Sequence, residues 1–158
     1  MGRARDELRP LAASEVTVLP AQPNFFTLAC ADVGRMADFL LALGWPEAPS
    51  SEAVHRVFQC TNGVAVALYA AKNYEAHYGP RADGFRGFTL GVNLASREEV
   101  FAAHEALREI EDAELLGEPV DSPHGFSGFA FRDPEGNVWE VAWKRGSEVT
   151  ASGDLTWN

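Results

Sequence analysis

Hydrophobic positions recur every second residue in several stretches of the chain and at three- to four-residue spacing in two others. Phe25-Phe-Thr-Leu-Ala-Cys30 reads as a strand with Phe26, Leu28 and Cys30 on one face. Asp32 is placed as an N-cap. Val33, Met36, Ala37, Leu40 and Leu43 follow at helical spacing, and Gly44 stops the helix. After a Pro/Ser-rich link, Val54 to Cys60 and Val64 to Ala70 read as two strands. Thr61-Asn62-Gly63 between them is hairpin chemistry. Lys72 to Pro80, with Tyr74, His77 and Tyr78, reads as a connector with room for one helical turn.

The pattern then starts again. Phe88-Thr-Leu90 repeats Phe26-Thr-Leu28 at an offset of 62, and Val92 and Leu94 continue the apolar face. Ser96-Arg-Glu-Glu99 is a capping box, and Val100, Ala103, Leu107 and Ile110 carry the helical stripe. Leu115 and Leu116 begin a short strand. The run Phe129 to Trp143 is a strand, a turn at Asp133-Pro134-Glu135-Gly136 and a second strand. Phe58 to Gly63 matches Phe131 to Gly136 at an offset of 73. Two tandem βαβββ modules with helices on the outer faces of curled, mixed sheets are the simplest account, an α+β fold. The divisions expected are an N-terminal arm over 1–22, a first module with its connector over 23–80, a second module over 81–145 and a tail over 146–158.

In the last strand of the second module Trp139, Val141 and Trp143 form the core face. The opposite face carries Val138, Glu140 and Ala142. A carboxylate among small apolar groups is costly unless a cation, a hydrogen-bond donor or a metal meets it. Glu140 is therefore the first candidate functional residue, with a solvated strand glutamate as the plain alternative.

The totals narrow the partners. The 158 residues carry a formal charge of −10, which argues against nucleic acid and anionic membranes and mildly favours neutral or cationic small molecules. No apolar run has the length of a membrane span. The N-terminus lacks the apolar core of a signal peptide. Cys30 and Cys60 have neither metal-type nor disulfide-framework spacing, so a reducing, cytoplasmic setting is expected.

Leu28-Ala-Cys-Ala-Asp32, Phe39-Leu-Leu-Ala-Leu-Gly-Trp45 and Phe131-Arg-Asp-Pro-Glu-Gly-Asn-Val-Trp-Glu140 resemble the vicinal oxygen chelate superfamily. This is the glyoxalase, bleomycin-resistance and extradiol dioxygenase group, and the likeness runs from about residue 24 to 145. It implies sheets curled around a cleft, often completed by a second subunit, so a homodimer is expected. In metal-dependent members, a divalent ion is held by one side chain from the first and one from the last strand of each module. Carried over, the last-strand positions are Glu140 and, through the offset of 73, Ala67. The first-strand positions, counted back seven from Asp32 and from Leu94, are Phe25 and Gly87. A register shift of one gives Phe26, Phe88 and Leu68. Of these only Glu140 is a metal ligand. No cofactor is expected; a divalent metal stays open only in the sense that one of its ligands is present.

Alternation places Phe25, Thr27 and Ala29, Ala65, Ala67 and Tyr69, Gly87, Thr89, Gly91 and Asn93, and Val138, Glu140 and Ala142 on the cleft wall. Many are small, which makes a roomy concave face. Phe25, Thr27, Phe58, Tyr69, Thr89, Asn93 and Glu140 are the candidate ligand-binding residues. Glu140 and His124, the latter leaning over the cleft from its loop, are the candidate acid–base pair. His77 is placed in a lid-like connector, His104 in helix packing and His55 on a strand of unassigned facing.

The reading expected is a protein that binds a small organic molecule, neutral or cationic, without the family's metal. The alternative is a glyoxalase-type lyase or isomerase using Glu140 as base or metal ligand; dioxygenase chemistry, which needs a redox metal held by two histidines and a carboxylate, is the branch least expected. Leu155 and Trp157 in the tail are expected to dock on the body or on a partner subunit.

Overall fold

In the computed structural model, which describes Leu19 and residues 21–157, the chain passes from β1 (Phe25–Cys30) into α1 (Val33–Ala42) at Asp32. The Asp32 carboxylate accepts the Arg35 N–H at 2.9 Å, which satisfies one donor of the first helical turn. The arm expected over residues 1–22 lies outside the described residues, except for Leu19, Ala21 and Gln22. β2 (His55–Gln59) and β3 (Ala65–Ala70) form an antiparallel pair, and β3 lies parallel to β1, giving the order β1-β3-β2. Gly63, at φ +83°, supplies the left-handed residue of the turn between β2 and β3.

β3 then runs directly into α2 (Ala71–Tyr78), a helix of eight residues where the sequence suggested at most a turn. No side chain caps its N-terminus, and Ala71 is its one buried residue.

The second half opens on the same order of strand and capped helix but carries a five-stranded sheet where the first half has three strands. β4 (Leu90–Asn93) leads into α3 (Arg97–Leu107), whose N-cap Ser96 accepts the Glu99 N–H at 3.2 Å. β5 (Glu114–Leu115), β6 (Val120–Ser122), β7 (Phe126–Arg132) and β8 (Val138–Lys144) follow. The sheet order is β4-β8-β7-β5 with β6 also on β7, and β4 is parallel to β8. The tail folds into an antiparallel pair, β9 (Glu148–Val149) and β10 (Leu155–Thr156), which the sequence did not suggest. This is the α+β architecture expected from the pattern.

The repeat has a different register from the one its letters suggest. The two helix caps, Asp32 and Ser96, are 64 residues apart. The pairs Phe26–Val66 and Leu90–Trp139, and Thr27–Ala67 and Gly91–Glu140, agree with that spacing. The offset of 62 is two residues short, so the partner of Asp32 is Ser96 and not Leu94. Because strand side chains alternate with a period of two, the slip leaves every residue on its assigned face.

The helices α1 and α3 lie on one side of the sheets and bury a single cluster. Phe39 of α1 meets Phe131 at 6.2 Å between ring centroids, and Trp45 meets Trp139 edge-on at 5.6 Å. His104 of α3 is buried here, edge-on to Phe129 and bonded through Nε2 to the Gly117 carbonyl at 3.0 Å, a packing role as expected. Phe58 also belongs to this core, with 0% exposure. Its expected place on a ligand cleft is therefore corrected: on β2 it pairs with Val66 and faces the helices.

The β7–β8 turn does more than reverse the chain. Asp133 is buried and its two carboxylate oxygens accept the Glu135 and Asn137 N–H groups, the Asn137 amide and the Trp139 indole, all at 2.8–3.0 Å. With Gly136 at φ +78°, this fixes the turn so that Glu135 points at the first half. Glu135 accepts the Ala31 and Asp32 N–H groups at 3.0 and 2.9 Å and a hydrogen bond from Arg81 at 2.9 Å. Arg81 also donates to the Ala29 carbonyl, and Arg86 donates to Asn137 Oδ1 and the Glu135 carbonyl. The turn thus ties β8 to the β1–α1 junction and to the connector.

Burial alone would push the Glu135 carboxyl up, but the Asp32 and Ala31 N–H groups and Arg81 outweigh it and hold the group below the ordinary glutamate value. Its contribution to stability is thus present in full above the ordinary glutamate range and is lost as pH falls through the lower folded value. Glu135→Gln is expected to cost about 2–4 kcal/mol at neutral pH, the range for removing one partner of a mostly buried ion pair. The loss should shrink on acidification below pH ~4. Urea melts of both proteins at several pH values measure this.

Candidate functional site

The side of each sheet that turns away from α1 and α3 carries the candidate residues. On the second sheet β4, β8 and β7 place Gly91, Glu140 and Ala130 in one row, and Asn93, Ala142 and Gly128 in the next. Apart from Glu140 and Asn93, both rows hold only glycine and alanine. A side chain added at Gly91 would meet no atom within 4 Å of its Cβ, so the space above this point is open. Glu140 stands in that space, exposed, and accepts the Thr89 hydroxyl at 3.0 Å. Asn93, Val138 and Ala142 are half-buried around it.

Gly128 allows β7 to lie close: a Cβ there would come within 2.9 Å of the Phe126 ring and 3.1 Å of the Val141 carbonyl. Phe126, exposed, therefore lies across the same face and marks its far end. Lys144 is opposite Phe126, and the Trp157 ring of the tail sits 4.9 Å from the Lys144 ammonium. Of the expected docking of the tail only this contact is made: Trp157 remains 57% exposed and Leu155 43%.

On the first sheet Phe25, Thr27 and Ala29 pair with Ala65, Ala67 and Tyr69, and these with Gln59, Val57 and His55. His55 is thereby assigned to the candidate face. Ala65 and Ala67 are buried, so the middle of this sheet is narrower than the small residues suggested. Phe25 is 53% exposed, and Tyr69 is half-buried.

Two expectations about chemistry gain no support within the single chain. Glu140, expected to act as a base if buried, is exposed. His124 is exposed in the β6–β7 turn, beyond the Phe126–Lys144 pair. Four residues of strand, about 13 Å, separate that pair from Ala130–Glu140. The two candidate acid–base residues are not brought together within the chain. Neither cysteine offers a nucleophile. Cys30 is 1% exposed, and burial, with the charges of Glu135 and Asp133, pushes its thiol up to about 12. Burial also raises Cys60.

The corrected register revises the metal positions that the resemblance implies. The first-strand counterpart of Phe25 is Thr89, not Gly87, and the last-strand pair remains Ala67 and Glu140. Two of the four positions thus present oxygen, bonded to one another, and two present only carbon. Pairing the modules across a dimer would bring together the same four residue types. Among the described residues, no three of His, Cys, Asp and Glu gather closely enough to hold an ion. This donor set does not fit a divalent metal held by side chains.

A groove of about 360 Å³ opens elsewhere, between the start of α1 and the loop before β2, lined by Gly34, Glu47, Ser51, Glu52, Ala53 and Arg56. Its wall is the Glu47–Arg56 ion pair at 2.6 and 2.7 Å. A second cavity of about 10 Å³, between Phe85, Arg86 and Phe88 and the β7–β8 turn, has room for about one water.

Comparison with known proteins places this geometry. The family model described as the Glyoxalase/Bleomycin resistance protein/Dioxygenase superfamily matches residues 22–141. A glyoxalase-related enzyme from Fulvimarina pelagi has a TM-score of 0.75 at 24% identity, with 87% of this chain and 99% of that one covered. A glyoxalase/bleomycin resistance protein/dioxygenase from Nocardioides has a TM-score of 0.68 at 25% identity, covering 85% and 91%. A lactoylglutathione lyase from Agrobacterium tumefaciens is similar in fold at 18% identity, with a TM-score of 0.62 and coverage of 79% and 95%. No match was found among proteins of curated function.

Proposed function

The chain belongs to the glyoxalase/bleomycin resistance protein/dioxygenase superfamily, and from that premise we propose that it binds a small organic molecule, neutral or cationic, without the divalent ion of metal-dependent members. The observation that carries this reading is the exposed Glu140 carboxylate, oriented by Thr89 and standing over the open space at Gly91. A carboxylate held by one neutral donor retains lone pairs and its charge for a ligand. The small residues around it leave room for the ligand's apolar body. The acidic total of the chain adds a long-range attraction for a cation.

Turnover lacks the same support. A lyase or isomerase of the expected type needs a second proton-handling group near Glu140, and His124 lies at the other end of β8. Binding without chemistry asks only for the face itself.

The working form is a homodimer. Phe25, Phe26 and Phe88 are 53%, 39% and 51% exposed at the two outer strands β1 and β4 or just before them, and Val120 and Phe126 are 61% and 41% exposed on the second sheet. Apolar surface of this kind is costly to leave in water, and a second copy laid over it would turn open faces into an enclosed cleft. No helix of the described residues is long and apolar enough to cross a membrane. The free cysteines Cys30 and Cys60 fit a reducing, cytoplasmic setting.

Screening small organic cations, neutral molecules and anions by thermal shift tests the binding reading. Stabilising compounds are expected among the first two classes. For a cationic hit Glu140→Gln should weaken binding by about 1–3 kcal/mol, or roughly 5- to 150-fold, and a neutral hit should be little affected. Gly91→Leu should keep the fold and block both. Stabilisation by anions alone would contradict the assignment. Sedimentation equilibrium at micromolar concentration is expected to give the mass of two chains; a monomer throughout would remove the enclosed-cleft part of the reading.

A further inference from the structure

Four aromatic side chains on the first sheet and α2 form a continuous run that local sequence patterns do not assemble. His55 on β2 pairs with Tyr69 on β3, and their rings meet edge-on at 5.4 Å and 84°. Tyr69 meets Tyr74 of α2 at 6.3 Å and 73°. Tyr74 and Tyr78, one turn apart on α2, approach to 4.7 Å at 42°. His77 adds a ring contact to Tyr78 at 6.2 Å. The register puts His55 and Tyr69 on the side of the sheet that carries Ala29, Ala67 and Thr27, away from the common core.

Core packing does not account for this run. His55, Tyr69 and Tyr74 are half-buried, and Tyr78 is 75% exposed. Apart from Ala71, α2 contributes nothing buried, so these rings are not there to anchor it in the cluster. Among the described residues the three phenol hydroxyls and the two imidazoles have no hydrogen-bond partner. The result is a herringbone run of rings, successive planes turned by 84°, 73° and 42°, with unused donors and acceptors along its edge.

Such a row has the chemistry of a stacking platform. Aromatic faces attract a flat ring through offset or edge-on contact, and attract it more strongly when it is cationic. Hydroxyl and imidazole edges meet the ring's polar atoms. Arg81, the cation beside this run, is held by Glu135 and the Ala29 carbonyl, and α2 itself carries one lysine, Lys72, and one glutamate, Glu75.

We propose that His55, Tyr69, Tyr74 and Tyr78 form a stacking subsite for a planar aromatic ring carried by a neutral or cationic ligand. This rests on the ligand-binding reading above and names the ligand class for it. The second sheet supplies the carboxylate, and the first sheet with α2 supplies the ring platform.

Proflavine, a flat tricyclic aromatic cation, is a suitable probe, titrated against the full chain by fluorescence anisotropy. Saturable binding is expected, with affinity reduced about tenfold or more in a Tyr69→Leu/Tyr74→Leu double variant. Tyr78→Leu removes an exposed ring with no effect on folding, and should reduce affinity about threefold. Circular dichroism melts establish that each variant is folded; if the double variant is not, Tyr78→Leu decides. Tetraethylammonium, a cation without a ring, should not displace the dye. Absence of saturable binding, unchanged affinity in the folded tyrosine variants, or displacement by tetraethylammonium would each overturn the subsite. Glu140→Gln separates the two readings. If it weakens proflavine while the tyrosine variants do not, the carboxylate assignment stands and the platform fails. If only the tyrosine variants weaken it, the platform stands and the carboxylate assignment fails.

Discussion

The carboxylate of Glu135, held between the Ala31 and Asp32 N–H groups and Arg81, is the contact on which the relation of the two halves depends. A turn that only reversed the chain would leave β7 and β8 tethered to the first half by hydrophobic packing, which is strong but weakly directional. The side chain of Asp133 organises the turn from inside, and Glu135 projects from it into unpaired donors at the end of β1. Because those donors are at the start of α1, the carboxylate also lies near the positive end of that helix. The same charge, with Asp133, is felt by Cys30, which burial and these neighbours keep as an unreactive thiol. One short segment therefore fixes the angle between the halves, the path of the connector and the character of the nearest cysteine.

With the halves fixed in this way, their differences acquire functional meaning. Both sheets share a parallel pair beside a capped helix, yet equivalent positions hold different chemistry. Where the first half has Phe25 and Ala67, the second has Thr89 and Glu140. At these four positions the oxygen-bearing side chains belong to the second half and the carbon-only ones to the first. A four-ligand metal centre needs donors from both halves, and at these positions the first half offers none.

Much of the fold was legible in the sequence because its signals are local. Asp32, Ser96 and Gly63 act through the bonds and dihedrals of their own neighbourhoods, and alternation along β3 and β8 follows from strand geometry. What failed to show has physical reasons. Phe88-Thr-Leu90 imitates Phe26-Thr-Leu28 because both begin apolar strands, and only inter-strand pairing reveals the two-residue slip. Glu135 reads as turn chemistry alone, since its partners Arg81, Ala31 and Asp32 lie 54, 104 and 103 residues away. Phe58 was assigned to a cleft because an aromatic residue on a strand carries no mark of which sheet face is covered. The α2 helix, uncapped and with one buried residue, has little amphipathic signal to detect. The Tyr69–Tyr74 contact escaped with it. For Glu140 the correct face was read, but its exposure depends on how the sheet curves, which alternation does not encode.

Metal content of the purified protein, by plasma mass spectrometry, is the most direct measurement of whether Thr89, Glu140, Phe25 and Ala67 have replaced a metal centre. It should be paired with thermal shifts in Zn²⁺, Ni²⁺, Mn²⁺ and Fe²⁺. Metal far below one ion per chain, with melting temperatures unchanged by any of the four, is the expected result. A stoichiometric ion, or a clear rise in melting temperature with one of them, would contradict the metal-free binding face and return the enzyme reading to the front.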